Sequence, residues 1–338
     1  MKGTKKRVAG AIFLFALIIA SVYIIRNDAE PSYISLSGQA FGTTWTIVYQ
    51  PKSSKQDIES LVIETMQTMD ASLSAFNPDS RLSQINKGTT DELDSLLEQC
   101  LSIGLRVAKE TSGAFDPTIG AVVDKWGFGP VSDIDTTGLA ASVGYNNLSI
   151  ADHKLRKSRA GTQIDLSGVA KGFAVDRVGA ALEGAGIKNY LVEIGGEIFC
   201  RGKSPSDDYW NIGICKPERG ATGALLTMAA TDVGIATSGN YRNYHEHGDT
   251  VIGHIVSPFT LQPAASQTIS STVVAADCAT ADAWATALMV FSPAETQTLI
   301  MEHEELQALI VYRDSVGEQH IWSTDSLHKT IVAVAQDL

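Results

Sequence analysis

The chain has 338 residues, 44% of them hydrophobic and 19% charged, enough for one large domain or two modest ones. Its net charge is −12, yet the first 26 residues hold five basic residues and no acidic one, so the remainder carries 21 basic against 38 acidic residues, a net −17. A body that acidic lacks the basic footprint of a general nucleic-acid binder.

The first predicted element is a targeting segment. Residues 2–7 form a positive flank, and residues 8–25 are 18 positions without a charge or a proline. That length suits one N-terminal membrane helix within residues 1–27, read as an uncleaved signal anchor, with a cleaved signal peptide as the alternative. The basic flank predicts a cytoplasmic N-terminus and an exported body. Residues 28–34 read as a linker and 35–338 as the folded body. Of the four cysteines, no pair has CxxC spacing, so a zinc site is not indicated. Cys200 and Cys215 sit on neighbouring strand-like segments and could pair in an oxidising compartment. Equally, all four fit as small buried hydrophobes.

The body opens with a predicted strand over 41–49. A helix over 55–75 follows, with Ile58, Leu61, Val62, Met66, Met69 and Leu73 on one face. A second helix over 93–111 is closed by Gly113. Loops follow at 113–118 and 126–130. A helix over 169–182 ends near Gly184 and Gly186. Strands are predicted over 190–194, stopped by Gly195-Gly196, then over 209–215, 231–237, 251–256 and 271–276. Asp277 caps a helix running to about residue 291, and strands over 306–312 and 320–323 finish the sheet. This mix has no strict βαβ alternation. It favours an α+β fold of mixed or antiparallel sheets with packed helices over a doubly wound sheet.

Three groups of residues carry chemistry. Asp282 and Thr286 are separated by i, i+4, so they share one helix face a single turn apart. A carboxylate and a hydroxyl so placed can both reach a hard cation such as Mg²⁺, which takes oxygen ligands and completes its shell with water and phosphate. Taken alone, the pair also fits an ordinary helix with one solvated Asp and a Thr bonded back to its own turn. The apolar residues around Asp282 argue that it is at least half inside, where a carboxylate needs a partner. In the second group, Ser167-Gly168 leads into a helix start that would aim free N–H groups at an anion. Lys171 in its first turn can reach a phosphate, and Asp165 at the strand end can accept from a ribose or base. A plain helix start with a surface lysine is the alternative. The third is His254, in a strand before Ser257-Pro258, either a general base or a structural histidine. His245-Glu246-His247, beside Gly248-Asp249, reads as a solvated hairpin loop.

In this order the segments resemble the ApbE-type flavin transferases (FAD:protein FMN transferases) over roughly residues 35–325. The resemblance is carried by Ala40-Phe41-Gly42-Thr43-Thr44-Trp45, Phe76-Asn77-Pro78-Asp79-Ser80 with Ile85-Asn86, Gly113-Ala114-Phe115-Asp116-Pro117-Thr118, Lys125-Trp126-Gly127-Phe128, Ile164 to Gly172, Glu193-Ile194-Gly195-Gly196-Glu197, Ala236 to Tyr241, His254 to Pro258, and Ala281 to Thr286. It implies FAD bound in a cleft between two subdomains, with Mg²⁺ on its pyrophosphate. It implies transfer of FMN to a Thr or Ser hydroxyl of an acceptor protein as a phosphoester, with release of AMP. By position, Phe41, Phe76, Ala114, Phe115, Asp116, Asp165, Lys171 and Val256 would line FAD. Gly168 through its carbonyl, with Asp282 and Thr286, would hold the metal, so that Asp282 is needed for catalysis. His254 would help deprotonate the acceptor hydroxyl.

The implied acceptor is a membrane-associated redox protein, met on the periplasmic side of a bacterial inner membrane. The acceptor motif of such partners, Asp-Gly-x-Ser/Thr-Gly-Ala-Thr, is absent here, so self-modification is not expected. The chain departs from the family in having Phe41 where Met is common, Phe76 where a Tyr or Trp is usual nearby, Ser257 for the Asp of His-Ile-x-Asp-Pro, and Thr260-Leu261 for Thr-Gly. The Ser257 departure leaves room for hydrolysis of FAD to FMN and AMP, and a separate alternative is an exported FAD-binding protein without catalysis.

Overall fold

In the computed structural model, which describes residues 32–53, 57–131, 138–218, 220–221, 223–240, 244–247 and 250–335, the chain begins with a β-hairpin. Strands β1 (Ile34–Ala40) and β2 (Thr43–Tyr49) are joined by Phe41-Gly42, both at positive φ (54° and 72°). Two such residues form the tight turn whose twist matches that of the strands. The strand predicted over 41–49 therefore begins at residue 43, and β1 takes the last residue of the expected linker. The proposed membrane segment at 1–27 lies outside the described residues. Among those described, no helix is long and apolar enough to cross a membrane.

Helices α1 (Ile58–Leu73), α2 (Arg81–Lys87), α3 (Ser95–Glu110), α4 (Gly120–Lys125) and α5 (Leu139–Ser142) follow, then the hairpin β3 (Leu148–Ala151) and β4 (Lys154–Lys157), then α6 (Ala170–Gly184). Asp57 and Asp94 cap α1 and α3 by accepting from N–H groups of the first turn. Strand β5 (Tyr190–Ile194) turns through Gly195-Gly196 into β6 (Glu197–Arg201). Next come β7 (Trp210–Cys215), β8 (Ala224–Ala230), β9 (Val233–Gly239), β10 (Tyr244–His247), β11 (Thr250–Gly253), β12 (Val256–Ser257), β13 (Gln262–Pro263) and β14 (Thr268–Ala275). The chain closes with α7 (Cys278–Leu288), α8 (Pro293–Met301), β15 (Gln307–Arg313), β16 (Gln319–Ser323), α9 (Asp325–His328) and β17 (Ile331–Val334). His245-Glu246-His247 is a strand of the β10–β11 hairpin and not a loop.

Eight strands form one antiparallel sheet in the order β1-β2-β5-β6-β9-β14-β15-β16. Alternate residues of a strand face opposite sides, and here both sides are covered. Ile47, Tyr190, Val192, Ile194 and Val273 pack on one side against helix residues such as Val62, Leu101, Phe173, Val178 and Trp284. Cys200, Ile235, Val274 and Leu309 pack on the other side against Trp210, Ile212, Leu226 and Met228 of a small sheet, β17-β8-β7. A separate apolar cluster joins Ile119, Val122, Leu139 and Val256, with Trp126 and Leu261 at its margin. The architecture is α+β with antiparallel ladders, as the mixed pattern predicts. All four cysteines are free. The premise for a Cys200–Cys215 bridge fails because β6 and β7 lie in different sheets. Three of the four are buried, and Cys215 is exposed.

Candidate active site

The site is built where α6 meets α7. Helix α7 is apolar on every side except at Asp282 and a few hydroxyls, and a helix of that kind is buried. It packs against α6 so closely that glycine is required between them. A Cβ on Gly172 would stand 2.3 Å from the Cys278 carbonyl oxygen, and one on Gly168 would stand 2.8 Å from Thr286 Oγ1. The two helices also cap one another. The Gly172 N–H, near the start of α6, donates to Asp282 Oδ2 at 3.0 Å. At the start of α7, Cys278 N–H and Ala279 N–H donate to the Asp176 carboxylate at 2.8 and 2.9 Å. Each aspartate thus satisfies N–H groups that its partner helix cannot pair internally.

This reciprocal capping fixes the register, bringing Gly168 to Thr286 and Gly172 to Asp282. Thr286 Oγ1 also lies 3.3 Å from Ser238 Oγ at the end of β9. Asp282 is only 2% exposed. Its burial pushes the carboxyl upward from the usual range, opposed by the nearby Lys171 ammonium and the Gly172 N–H. Lys171 Nζ lies 2.7 Å from Glu197 Oε1. Two buried carboxylates thus share one ammonium. Burial lifts Glu197, Lys171 pulls it down and Asp282 lifts it again, while both carboxylates hold Lys171 in its charged form.

Asp165 lies at the turn into α6. Its backbone N–H donates to the Pro117 carbonyl at 2.9 Å. Its carboxylate accepts from the Ser167 N–H at 3.0 Å and the Ser167 hydroxyl at 2.7 Å, which shapes the turn. Burial raises the Asp165 carboxyl, and the charge of His254 acts weakly against that rise. The ring of His254 stands 6.3 Å from that of Phe128, edge on. Asp116 is buried and fully engaged, accepting from Thr118 N–H, the Thr118 hydroxyl and the Tyr145 N–H. It orders the 113–118 loop. Within that loop Ala114 and Phe115 are buried, and Phe115 backs onto Gly168 and Gly104.

Val256 belongs to the separate cluster around α4. Phe41 packs its half-buried ring on the main core from a left-handed backbone position. Phe76 is 71% exposed after α1. The structure therefore brings Gly168, Lys171, Asp282 and Thr286 into one cluster. Asp165 and His254 interact electrostatically, Phe41 packs on the main core and Phe76 is exposed.

Ser257 is buried, and its carbonyl accepts from Leu261 N–H at 2.8 Å. Leu261 itself has φ +57°, and its carbonyl accepts from the Trp126 indole N–H at 3.1 Å. Leucine here holds a left-handed conformation that favours glycine, at a cost of about 1–2 kcal/mol. Sequence reasoning missed Glu197, Asp176 and Ser238 as parts of the site. The sequence shows only that Glu197 and Asp176 each follow a short apolar run, Ile194-Gly195-Gly196 and Phe173-Ala174-Val175, which does not reveal their partners. A groove of about 670 Å³ opens further along α6, lined by Ile103, Phe173, Arg177, Glu183 and Tyr190 among others; it reaches Asp176 but not Gly168, Lys171, Glu197, Asp282 or Thr286.

The donor set suits a hard divalent cation beside an anion. Asp282 and Thr286 present oxygen ligands, Gly168 approaches Thr286 too closely for any side chain, and the buried acid excess favours a cation. Lys171 and the α6 N-terminus favour an anion.

Residues 41–310 match the model of the ApbE family. The chain is 33% identical over 313 residues to an FAD:protein FMN transferase of Vibrio cholerae, covering 88% of this chain and 93% of that protein. It is 32% identical over 339 residues to the one of Haemophilus influenzae, covering 93% and 95%. Among solved structures, the flavin transferase ApbE from Vibrio cholerae matches with a TM-score of 0.79 at 30% identity, over 89% of this chain and 100% of that one. The apo flavinyl transferase ApbE of Pseudomonas stutzeri matches with a TM-score of 0.78 at 28% identity, over 90% and 98%.

Proposed function

The chain belongs to the ApbE family, and from that premise we propose that it moves FMN from FAD to a Thr or Ser hydroxyl of an acceptor protein, with Mg²⁺ bound and AMP released. It is an enzyme, an FAD:protein FMN transferase like its relatives. The observation that carries the finer reading is the single cluster of Gly168, Lys171, Asp282 and Thr286 at the α6–α7 contact.

In this reaction the acceptor oxygen forms a bond to the flavin-side phosphorus, and the bond from that phosphorus to the bridging oxygen breaks. AMP leaves with the electron pair, and the hydroxyl proton leaves the acceptor. Asp282 and Thr286 side chains, with the Gly168 carbonyl, would hold Mg²⁺. When bound, that ion offsets charge on the pyrophosphate. Lys171 contributes a fixed positive charge beside it. His254 is suited to take the acceptor proton. Asp116 and Asp165 act through the loops they order, which would carry Phe115 and the adjacent backbone against the ligand. The cluster around α4 and the β12–β13 hairpin supports a second subdomain, with the flavin cleft between it and the main sheet. The apolar segment at 8–25 and its basic flank support a single-pass anchor in a bacterial inner membrane, with the body on the periplasmic side. The acceptor would then be a membrane-associated redox protein.

Chromatographic measurement of AMP release tests the reaction, with FAD and Mg²⁺, and with or without a protein carrying Asp-Gly-x-Thr-Gly-Ala-Thr. AMP release that requires the acceptor supports transfer. Equal release without acceptor would instead identify FAD hydrolysis, for which the loss of the family carboxylate at Ser257 leaves room. FAD binding with no AMP release under any divalent metal would identify a binding protein.

A further inference from the structure

Glu197 is a buried carboxylate with one oxygen left unpaired. It begins β6 and is 4% exposed. Only Oε1 has a partner, Lys171 Nζ at 2.7 Å, while Oε2 is buried with none. A buried ion pair of this kind adds little stability relative to apolar residues of the same volume, because desolvation offsets the attraction. The lone oxygen makes the balance worse. A residue that breaks the rules of a packed core is expected where function requires it.

Its surroundings indicate what the function is. β2 and β5 are paired, and Gly195 N–H donates to the Thr44 carbonyl at 3.0 Å. This brings the Phe41-Gly42 turn and the Gly195-Gly196 turn to the same end of the sheet. A Cβ on Gly195 would stand 2.9 Å from Thr43 Cγ2 and 3.4 Å from Glu197 Oε2. Glu197 thus lies close to the Gly195 turn, which is itself bonded to the start of β2, and meets Lys171 in the first turn of α6. The exposure of the pair is graded: the Lys171 side chain is 34% exposed and that of Glu197 is 5%. The Lys171 side chain is open along part of its length, while its ammonium is held by a carboxylate closed off from solvent.

We infer that Glu197 is a positioning residue, whose carboxylate holds the Lys171 ammonium in place beside the substrate phosphates and ties it to the hairpin turn that carries Phe41. This rests on the proposed FMN transfer from FAD. Glu197 touches no reacting atom, so its effect must pass through Lys171. The two substitutions are then not independent.

The test compares four full-length proteins: wild type, Glu197→Gln, Lys171→Met and the double variant. FAD affinity is read by flavin fluorescence, kcat and KM by transfer to the acceptor protein, and Tm by calorimetry. Glu197→Gln, which keeps shape and removes charge, should lower kcat/KM by about 10- to 100-fold, as removal of an orienting partner does at metal sites. It should leave Tm near that of wild type. The double variant should be no worse than Lys171→Met alone in either kcat/KM or FAD affinity. If Glu197→Gln fails to fold, Glu197→Asp, which keeps the charge on a shorter arm, serves in the same cycle. It should show a partial loss that vanishes in the Lys171→Met background. A silent Glu197→Gln in an active wild type overturns the inference and leaves the proposed reaction standing. So does a double variant whose loss is the product of the two single losses. A wild type that binds FAD without transferring FMN overturns the proposed reaction, and the cycle in FAD affinity then judges Glu197 by itself. A wild type that does not bind FAD overturns both.

Discussion

Replacing Gly168 with alanine probes the contact on which the site depends. The new Cβ would stand 2.8 Å from Thr286 Oγ1, and 3.1 Å from both Thr286 Cγ2 and Phe115 Cε2. Carbon atoms in good contact stand about 3.5–4.0 Å apart, so each neighbour must yield several tenths of an ångström. Thr286 is short and β-branched, and its main relief is rotation about χ1. That rotation gives up the 3.3 Å contact with Ser238 Oγ. Phe115 is 4% exposed and has nowhere to retreat. Overpacking of this type costs about 1–3 kcal/mol. The reduced freedom of the unfolded chain offsets about 0.4–1 kcal/mol.

The expected net loss is about 0–2.6 kcal/mol, centred on about 1 kcal/mol, a fall in Tm of a few degrees for a domain of this size. Calorimetry with and without Mg²⁺ and FAD separates the two consequences. The Tm increment on adding both ligands should shrink as well, because the Thr286 hydroxyl has moved. In the double variant Gly168→Ala/Thr286→Ala the crowding atoms of Thr286 are gone. Its Tm should return towards that of wild type, while its ligand-induced increment stays small. A Gly168→Ala protein with the Tm and ligand response of wild type would refute the close approach of α6 and α7.

Further outcomes follow from the same geometry. Asp282→Asn should keep its bond from Gly172 N–H and match or exceed wild-type Tm without metal, since a buried charge is removed, but should lose the Mg²⁺-induced shift in calorimetry. Burial lifts the Asp176 carboxyl from 3.8 to about 7 in the folded state. The folded protein therefore binds this proton more tightly than the unfolded chain does. Its contribution to stability is complete below about pH 4 and is lost as pH rises through about 7. Asp176→Asn should flatten denaturation midpoints measured across that window, and an unchanged slope would remove Asp176 as the source. His254→Ala should reduce transfer by about 10²–10⁴-fold in a steady-state assay while leaving FAD affinity nearly unchanged. An equal loss of affinity would make His254 a binding residue instead.

Much of the site was legible because its signals are local. Asp277 caps α7 as its position predicts, accepting from Thr280 N–H, and the i, i+4 spacing of Asp282 and Thr286 needs only a helix. The Gly168 turn into α6 is likewise a run of neighbours. Glu197 was not legible, because its meaning depends on Lys171, which reaches it only after β5 and β6 fold back on α6. The elements overlooked have physical reasons of the same kind. β1 is an exposed edge strand with serines and a glycine. β8, Ala-Leu-Leu-Thr-Met-Ala-Ala, has helix-forming residues that the small sheet overrides. α8 did announce itself, with Pro293 after Ser292 and Glu295 completing a capping box. The left-handed Leu261 could not be seen in advance, since leucine gives no hint of a positive φ.

The proposed FMN transfer depends on a metal held at the α6–α7 cluster. The most direct test is the intact mass of an acceptor protein after incubation with FAD and Mg²⁺, for wild type and for Asp282→Asn. The account predicts an FMN-sized increment on one Thr or Ser with wild type, lost on chelation and lost with Asp282→Asn. An acceptor left unmodified by wild type, or one modified equally by Asp282→Asn, would contradict it.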